Sequence, residues 1–576
     1  MKLLLRCKAQ PYIYLLGIAL NLNIKTCFAQ ETSAGAILQS ITHSDLQFTP
    51  LKSDSAIKNN LYPALNPNEI PQIEIVGSKF IINRVQFKGN LKVNDNLLQT
   101  LFKPYLNKPI TFNQLKNATD EITLYYTKHG LLVRVILPGQ DITDGELTIQ
   151  ILEATLGKVW IENESKRIDS SRVEAWVHKA VPDSSSLSLK GIDRALLLLN
   201  DQPEIQVTGT LKPGSETGET NLILVVTDKP LLEGVVGIDN FGQSSTGLNR
   251  GTGNLSLNSP FGQGEKLNLY TVHTDGSNYG RLSATAPFGE NGLRIGVNSS
   301  YLDYKLISRI FTPLMANGTS TTAGAEVSYP IVRSQGANLY ILVNYNYSRF
   351  SNYANGEVTN QYHTSVFQGG LNGNKFDNIA GGGINSGSLN ISAGQINLNE
   401  SPSLTADSIG PQINGSFTKL RYAANRQQSI NNKVTANFGT SGQISSKNMD
   451  SSEQFYLGGP YGVRAYSSGE GNASQGSLSS MELMVGLSSN STLTGFYDYA
   501  SIQTFKNSNT LGAPLDNSYS LKGIGTSIGW TSQVGLNLKA TWARQIGSLP
   551  VSVFQLINSS SGKCCSRIWL NAAYYF

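Results

Sequence analysis

The feature that most constrains this chain is a period-two alternation of apolar and polar residues, which runs from Leu231 to the end. Between residues 339 and 347 every second residue is apolar, Asn344 and Asn346 lie between them, and residues 568–576 repeat the pattern. A period of two places alternate side chains on opposite faces of a β-strand. No run of 18 apolar residues occurs after residue 30, which excludes a membrane-spanning helix there. If this region lies in a bilayer, it must form a closed β-barrel, because only a closed barrel then satisfies every backbone hydrogen bond.

A soluble β-sandwich would show the same alternation. The barrel is favoured because the pattern continues over residues 231–576, aromatic residues cluster at strand ends as in interface girdles, and the chain stops on Phe576. The content of 56 Gly, 25 Tyr and 20 Phe beside only 15% charged residues is typical of many strands joined by polar turns. We therefore predict a membrane all-β fold, a transmembrane β-barrel of about 16 antiparallel strands with an open lumen.

Residues 1–29 have the three parts of a secretory signal peptide. A basic start precedes a short apolar core at residues 12–20, and Ala29 is the small residue that a signal peptidase accepts. A membrane anchor is disfavoured, because the core is about half of the ~20 residues that span a bilayer. We expect the mature chain to begin at Gln30 and to reach the outer membrane of a Gram-negative-type bacterium.

Cleavage before Gln30 would remove Cys7 and Cys27 and leave the adjacent pair Cys564 and Cys565. Two neighbouring cysteines do not form a disulfide framework. They could form a strained vicinal bridge or remain free thiols in a loop, and the sequence leaves both possibilities open.

A polar linker and two similar modules precede the predicted barrel. Residues 30–72 are polar and contain several prolines, and their one mildly amphipathic stretch, residues 35–41, could form a short helix. Residues 73–154 and 155–230 each show the order strand, helix, helix, strand, strand, an internal repeat of two small α+β modules. Modules with so few strands have open sheet edges, and such edges can accept an extended segment of another protein.

The periodicity also predicts the individual elements of both modules. In the first module it predicts strands at 80–87, 131–137 and 147–152 and helices at 94–106 and 111–128. In the second module it predicts strands at 158–161, 204–211 and 221–227 and helices at 170–180 and 188–200.

A glycine-rich segment at residues 455–466 interrupts the strand pattern and predicts a long loop, in which Arg464 is the one strong cation. In the strand at residues 493–499, parity places Phe496 and Asp498 on the lumen face. If the loop folds inward, the guanidinium and the carboxylate can meet as a bidentate pair. A solvated loop arginine and a pore-lining aspartate would fit the same spacing, so spacing alone leaves both readings open.

The loop motif, taken together with the residues around it, indicates a protein family. Val463-Arg464-Ala465-Tyr466 follows Gly462, and Phe496-x-Asp498 lies beyond the strand that carries Glu482. This arrangement, behind two modules of the POTRA (polypeptide-transport-associated) type, resembles the two-partner secretion transporters, TpsB, of the haemolysin activation and secretion kind. The resemblance covers about residues 72–576. The supporting matches are Pro138-Gly139-Gln140 with Gly145, Leu199-Asn200-Asp201 with Pro203, Pro213-Gly214, and Ser259-Pro260-Phe261-Gly262 with Gly264.

The sequence departs from the commoner family pattern at four places. Ala465 replaces a glycine, Ser467 stands where a proline is frequent, Ser474-Gln475 occupies a site that is often Gly-Asp, and Ala500 replaces a glycine. These departures concern the conformation of the loop, since the arginine and the aspartate themselves are present.

The resemblance implies a mechanism and a set of partners. The two modules would capture the N-terminal secretion domain of an unfolded, haemolysin-like or adhesin-like partner, which then threads the barrel. Arg464 and Asp498 would pair inside the lumen, with Gly462 and Glu482 in support, and residues 35–41 are the candidate for the pore-plugging helix common in the family. Outer-membrane lipid and the barrel-assembly machinery would be further partners of a monomeric protein without a cofactor.

Other functions are less well supported by the sequence. The five histidines are scattered without metal-ligand spacing, and no nucleotide-binding P-loop motif occurs, so we expect no enzyme. A net charge of +5 is too dispersed to favour nucleic acid. The alternatives that remain are a barrel-assembly factor of the same superfamily, which generally carries more modules and the glycine form of the loop, and a passive porin.

Overall fold

In the computed structural model, the described residues are 33–42, 79–181, 187–216, 218–309, 311–548, 550 and 566–576. The predicted signal peptide, most of the predicted linker, and Cys564 and Cys565 lie outside these ranges, and the predictions for them stay predictions. No helix among the described residues is long and apolar enough to cross a membrane.

The first module is a small sheet covered by two helices. Its elements are β1 (Phe80–Ile81), β2 (Arg84–Lys88), α2 (Asp95–Phe102), β3 (Pro109–Ile110), α3 (Phe112–Lys128), β4 (Val133–Ile136) and β5 (Glu146–Glu153), and the helix α1 (Ala34–Thr42) precedes them in the chain. The sheet order is β2-β5-β4, with β1 and β3 paired separately. The buried side chains of α2, α3 and the sheet form one apolar core that includes Leu98, Ile122 and Ile149.

Three predicted elements of this module are shorter than expected, and one of them is the strand predicted at 131–137, which spans only Val133–Ile136. The strand predicted at 80–87 is divided, because the chain turns at Asn83, whose backbone N–H donates to the Gly145 carbonyl at 2.7 Å. The helix predicted at 94–106 ends at Phe102 and continues as a 3₁₀ turn, Lys103–Tyr105. Pro104 explains this ending, since proline has no N–H to donate to the preceding helical turn.

The second module repeats the order of the first. It consists of β6 (Thr155–Asn163), α4 (Ser170–Ala180), α5 (Leu189–Asn200), β7 (Ile205–Pro213) and β8 (Glu219–Asp228), with the sheet order β6-β8-β7. The apolar face of α5 packs on the sheet, and Leu199 and Leu224 are fully buried in its core. The Ser188 side chain accepts a hydrogen bond from the Gly191 backbone and so caps the start of α5.

The predicted barrel of sixteen antiparallel strands is confirmed. Its strands are β9 (Leu232–Asp239), β10 (Arg250–Asn258), β11 (Lys266–Thr274), β12 (Ser277–Pro287), β13 (Arg294–Lys305), β14 (Asn317–Arg333), β15 (Ala337–Ala354), β16 (Glu357–Asp377), β17 (Gly383–Asn397), β18 (Gly415–Ser429), β19 (Val434–Ser445), β22 (Gln475–Gly486), β23 (Ser491–Gln503), β24 (Ser518–Thr531), β25 (Leu536–Gln545) and β26 (Ser566–Tyr575). The ring closes where β26 pairs with β9, from Asn571 opposite Asp239 to Tyr575 opposite Val235. A closed ring leaves no strand edge without a hydrogen-bonding neighbour.

The alternation of the sequence is the reason for the closure. On β15, Ile341 and Tyr345 point outward and are 40% and 45% exposed, whereas Ser348 and Asn352 point inward and are buried. An apolar outer face suits lipid, and a polar inner face suits a lumen that contains water or polypeptide. A short α-helix, α6 (Leu404–Ile409), lies in the connection between β17 and β18.

The helix α1 lies inside the barrel. Its buried residues Ala34, Ile37 and Ile41 pack on inward-facing side chains of the wall, including Tyr304 and Phe350. The Ala34 backbone N–H donates to Asn352 Oδ1 at 2.8 Å, and Tyr304 OH donates to the same oxygen at 2.9 Å. The stretch predicted at 35–41 is therefore helical, and it occupies part of the lumen.

One glycine allows α1 to approach the long loop after β19. A Cβ atom at Gly35 would lie 2.8 Å from Ser451 Oγ and 2.9 Å from the Ser452 backbone nitrogen. The neighbouring Ser33 and Ser451 hydroxyls are hydrogen-bonded at 2.6 Å, and Gln39 Nε2 donates to the Ser452 carbonyl. The end of α1 that carries Leu38 and Thr42 instead borders a lumen cavity of about 210 Å³.

We predict that Gly35→Leu displaces α1 from the lumen and raises the channel conductance of the purified protein in planar bilayers. Overpacking at a tight contact costs about 1–3 kcal/mol, enough to depopulate a docked helix. Thr42→Leu is the matched control, because the added volume faces the cavity. Equal conductance of the Gly35→Leu and wild-type proteins would contradict this position of α1.

Candidate functional site

The candidate site is built by the long connection between β19 and β22, residues 446–474, which we call the lumen loop. The strands β20 (Phe455–Tyr456) and β21 (Asn472–Ala473) pair with each other inside it. In the segment between β20 and β21, the Val463 N–H donates to the Leu457 carbonyl at 2.7 Å, which closes a tight turn. Gly462 is required in this turn, because a Cβ atom there would collide with the Leu457 carbonyl. The turn delivers Arg464 to the barrel wall.

Arg464 and Asp498 form a buried, bidentate pair. The guanidinium donates from Nη2 to Asp498 Oδ1 at 2.7 Å and from Nε to Oδ2 at 2.9 Å. The backbone N–H of Arg464 also donates to Oδ2, at 3.1 Å. Asp498 is 0% exposed and Arg464 is 8% exposed, so water reaches neither carboxylate oxygen freely. Two parallel charge-assisted bonds fix both the position and the orientation of the arginine.

Two more lumen-facing residues complete the binding of the guanidinium. Nη1 donates to Glu482 Oε1 at 2.7 Å, and Nη2 donates to Ser480 Oγ at 3.0 Å. The barrel register places these residues together, since Ser480 lies opposite Asp498 and Glu482 lies opposite Phe496 on the adjacent strand. Ser480 Oγ also donates to Asp498 Oδ1 at 2.8 Å. The guanidinium of Arg464 thus binds two carboxylates, those of Asp498 and Glu482, on neighbouring strands.

The Phe496 ring covers the guanidinium, with 3.4 Å between Arg464 Cζ and the ring centroid. Such a contact is attractive because the face of the ring is electron-rich. The ring fits against the next strand because Gly525 lies opposite, where a Cβ atom would be 2.5 Å from Phe496 Cζ. The Phe496 and Asp498 side chains, predicted to face the lumen, both contact Arg464 there, together with Ser480 and Glu482.

The apolar neighbours of Arg464 pack on the wall and exclude water. Val463, Ala465 and Tyr466 are buried in one cluster with Phe496 and Leu521. Ala465, which replaces the glycine of the commoner motif, fits because it faces a glycine: a Cβ atom at Gly523 would lie 2.9 Å from the Ala465 methyl carbon.

The structure adds residues that the sequence did not single out. Trp569, on β26, donates from Nε1 to the Arg464 carbonyl at 2.7 Å and is 5% exposed. Gln545 Nε2 donates to the Ala465 carbonyl at 3.3 Å. Trp569 could have been found from the alternating strand pattern: it lies between the apolar residues Ile568 and Leu570 and therefore on the polar, lumen-facing side of β26. An aromatic residue on a lumen face is unusual enough to expect a contact there.

The polar side chains of this arrangement are used in hydrogen bonds with one another, which suits holding the loop in place. No group of three His, Cys, Asp or Glu side chains that could hold a metal ion occurs in the described part of the chain.

A closed sixteen-strand barrel with small α+β modules and a loop held inside its lumen defines an outer-membrane transporter with POTRA domains. The profile of the haemolysin secretion/activation proteins ShlB/FhaC/HecB matches residues 218–531, and the profile of the ShlB-type POTRA domain matches residues 80–154. The chain belongs to the ShlB/FhaC/HecB family of haemolysin secretion/activation proteins. The predicted family and the outer-membrane location, with the modules in the periplasm, are thereby confirmed.

Individual relatives agree with this assignment. The heme/hemopexin transporter protein HuxB of Haemophilus influenzae is 27% identical over 78% of this chain and 81% of its own length. The outer membrane transporter CdiB of Dickeya dadantii is 24% identical over 72% of this chain and 71% of its own length. The solved structure of CdiB from Escherichia coli has the same fold, with a TM-score of 0.71 and 19% identity over 94% of this chain and 99% of the other.

We predict that Trp569→Phe loosens the lumen loop while the barrel stays folded. The change keeps the ring but removes the N–H that satisfies the Arg464 carbonyl, and a buried unsatisfied carbonyl costs about 1–3 kcal/mol. Hydrogen exchange of the Arg464 amide should accelerate about fivefold or more. Trp542→Phe is the matched control, because Trp542 is 44% exposed on the outer face. Unchanged protection of the Arg464 amide would count against this anchor.

Proposed function

We propose that this protein is the outer-membrane pore of a two-partner secretion system and that it exports one dedicated, unfolded exoprotein partner. The observation that carries the proposal is the buried pair of Arg464 and Asp498, which holds the lumen loop against the inner wall. A passive porin does not require a buried cation–carboxylate pair on an inward-folded loop. A secretion pore does need a structure that closes the lumen at rest and yields to its partner.

Two separate elements obstruct the lumen, the helix α1 and the lumen loop. The wall around them is polar, with Arg281, Asn298, Asn346, Gln368 and Arg421 among the residues that line the cavity. An extended polypeptide offers backbone donors and acceptors along its whole length, and a wall of amides and guanidiniums can exchange hydrogen bonds with it during transit.

The periplasmic modules supply the capture surface in this proposal. In each three-stranded sheet the central strand is paired on both sides, whereas the outer strands, β2 and β4 or β6 and β7, are paired on one side only within the sheet. The N-terminal secretion domain of the partner would add to such an edge as an extended segment, with backbone hydrogen bonds giving affinity. The partner is of the haemolysin or adhesin kind that the family resemblance implies.

We predict that Arg464→Ala abolishes export of the partner while the barrel still inserts. Removing the guanidinium leaves the Asp498 carboxylate buried without its counter-ion, which costs about 3–5 kcal/mol and deprives the loop of its position. The measurement is the amount of partner in the medium relative to the amount of heat-modifiable barrel in the outer membrane. Export at the normal level would contradict the proposal.

A charge exchange separates pairing from simple damage to the loop. Arg464→Asp and Asp498→Arg should each abolish export, and the double variant should recover part of it, because the opposite charges again face each other. No recovery in a correctly inserted double variant would argue against direct pairing as the functional contact.

A further inference from the structure

The joint between the second module and the barrel is made mainly by arginines that donate to backbone carbonyls. Arg172 of α4 donates to the Gly262 carbonyl at 2.7 Å, and Arg194 of α5 donates to the Pro330 carbonyl at 2.8 Å. From the barrel, Arg294 reaches Gln202 Oε1 of the module at 3.4 Å, while its bond to the Gly264 carbonyl, at 2.9 Å, stays within the barrel. These bonds leave several of the arginines without a carboxylate partner, whereas Arg333 of the barrel binds the Asp201 carboxylate of the module at 2.7 Å.

A carboxylate lies buried at this joint without a hydrogen-bond partner. Glu204 is 0% exposed, and neither of its carboxylate oxygens has a partner among the described residues. Its backbone carbonyl is well bound, by Arg167 Nη2 at 2.8 Å and the Lys229 N–H at 2.9 Å. Burying a carboxylate without a hydrogen bond carries a free-energy penalty. Its position close to several arginines therefore points to a functional role.

Burial raises the pKa of the Glu204 carboxyl. Its own backbone N–H and the charges of Arg172 and Arg294 only partly oppose this shift, while Glu265 adds to it. The Glu265 carboxylate is itself engaged in its own turn, where it accepts from the Gln263 N–H at 2.8 Å and from the Phe261 N–H. Glu204 is thus the one buried acid within reach of these arginines that is left without a bond, in the part of the joint that the structure describes.

The position of Arg172 indicates a role for the Glu204 carboxylate as its second binding partner. Arg172 belongs to the same module as Glu204, but its guanidinium donates to the Gly262 carbonyl of the barrel, in the turn between β10 and β11. If the module moves away from the turn, that carbonyl becomes available to water and the guanidinium becomes free. The Glu204 carboxylate of the same module, which already interacts electrostatically with Arg172, is then open to it, and a guanidinium binds a carboxylate more strongly than a carbonyl.

We propose that Glu204 is the alternative partner of Arg172 and makes the docking of the second module on the barrel reversible. In the docked state Arg172 binds the barrel turn and Glu204 stays unpaired. In the undocked state the two residues pair within the module, and the barrel turn is released. The unpaired carboxylate disfavours the docked state and the new ion pair favours the undocked state, and both oppose the hydrogen bonds that hold the module on the barrel.

The exchange is linked to pH. Because the docked state raises the pKa of Glu204, docking is strongest below the ordinary pKa of a glutamate and weakens as the pH rises through the raised value. The charged groups that face Glu204 are Arg172 from α4, Arg294 and Glu265 from the barrel, and Arg167 and Lys229 at its own backbone carbonyl. Among these groups, a carboxyl with a raised pKa is the one that titrates on mild acidification.

The test is a distance measurement across the joint in the full-length protein. Spin labels are attached at Lys179→Cys on α4 and at Glu290→Cys in the turn between β12 and β13, two exposed positions, with Cys564 and Cys565 replaced by serine. Pulsed electron paramagnetic resonance at neutral pH should show a docked and an undocked population. Glu204→Gln should reduce the undocked fraction about fivefold, equivalent to about 1 kcal/mol, because a neutral amide no longer attracts Arg172.

A control variant and a change of pH accompany this measurement. Glu162→Gln removes an exposed carboxylate of the same module and should leave both populations unchanged. Lowering the pH to about 5, near the glutamate range, should shift the wild type towards the docked population and leave Glu204→Gln unaffected. A single docked population in the wild type, or a Glu204→Gln protein that matches the wild type at both pH values while its barrel remains heat-modifiable, would overturn it.

Discussion

The lumen of this barrel is organised by one buried ion pair. The carboxylate of Asp498 has no contact with solvent, and a charge in such a place is tolerated only if a counter-ion and several donors surround it. Arg464 supplies the counter-ion, and its own backbone N–H adds a further donor. The inner wall therefore depends on the lumen loop for the stability of Asp498, and the loop depends on the wall for its conformation.

The second occupant of the lumen is linked to the first. The helix α1 touches the beginning of the lumen loop at Ser451 and Ser452, and Asp450 beside them accepts a hydrogen bond from Tyr362 of the wall at 2.8 Å. A movement of either element removes contacts of the other, so the free energies of releasing them are coupled. We infer that a partner entering from the periplasm meets one obstruction made of two parts rather than two independent ones.

The sequence predicted those features that follow from local pattern. Parity placed Phe496 and Asp498 on the lumen face, and it is that parity which lets them contact Arg464. The repeated periodicity predicted the elements of both modules, except where Asn83 and Pro104 end them early. Pattern could not reveal contacts between residues distant in the chain: the bond from Trp569 to the Arg464 carbonyl spans 105 residues, and the contact of Ser33 with Ser451 spans 418. The matches at Asp201 and Ser259–Gly264 were visible in the sequence, but only the structure places them at the joint, where Asp201 binds Arg333 at 2.7 Å.

In the proposed mechanism the lumen loop is held at Asp498 at rest and must leave this wall for the partner to pass, and a reversible tether between loop and wall tests this release. Ala465→Cys and Gly523→Cys place two Cβ atoms about 1 Å closer than in a relaxed disulfide, a spacing that a small shift of the loop corrects. The measurement is export of the partner by the oxidised and the reduced double variant, with Cys564 and Cys565 replaced by serine. Oxidation should block export and reduction should restore it, whereas normal export through a fully cross-linked pore would contradict the proposed release of the loop.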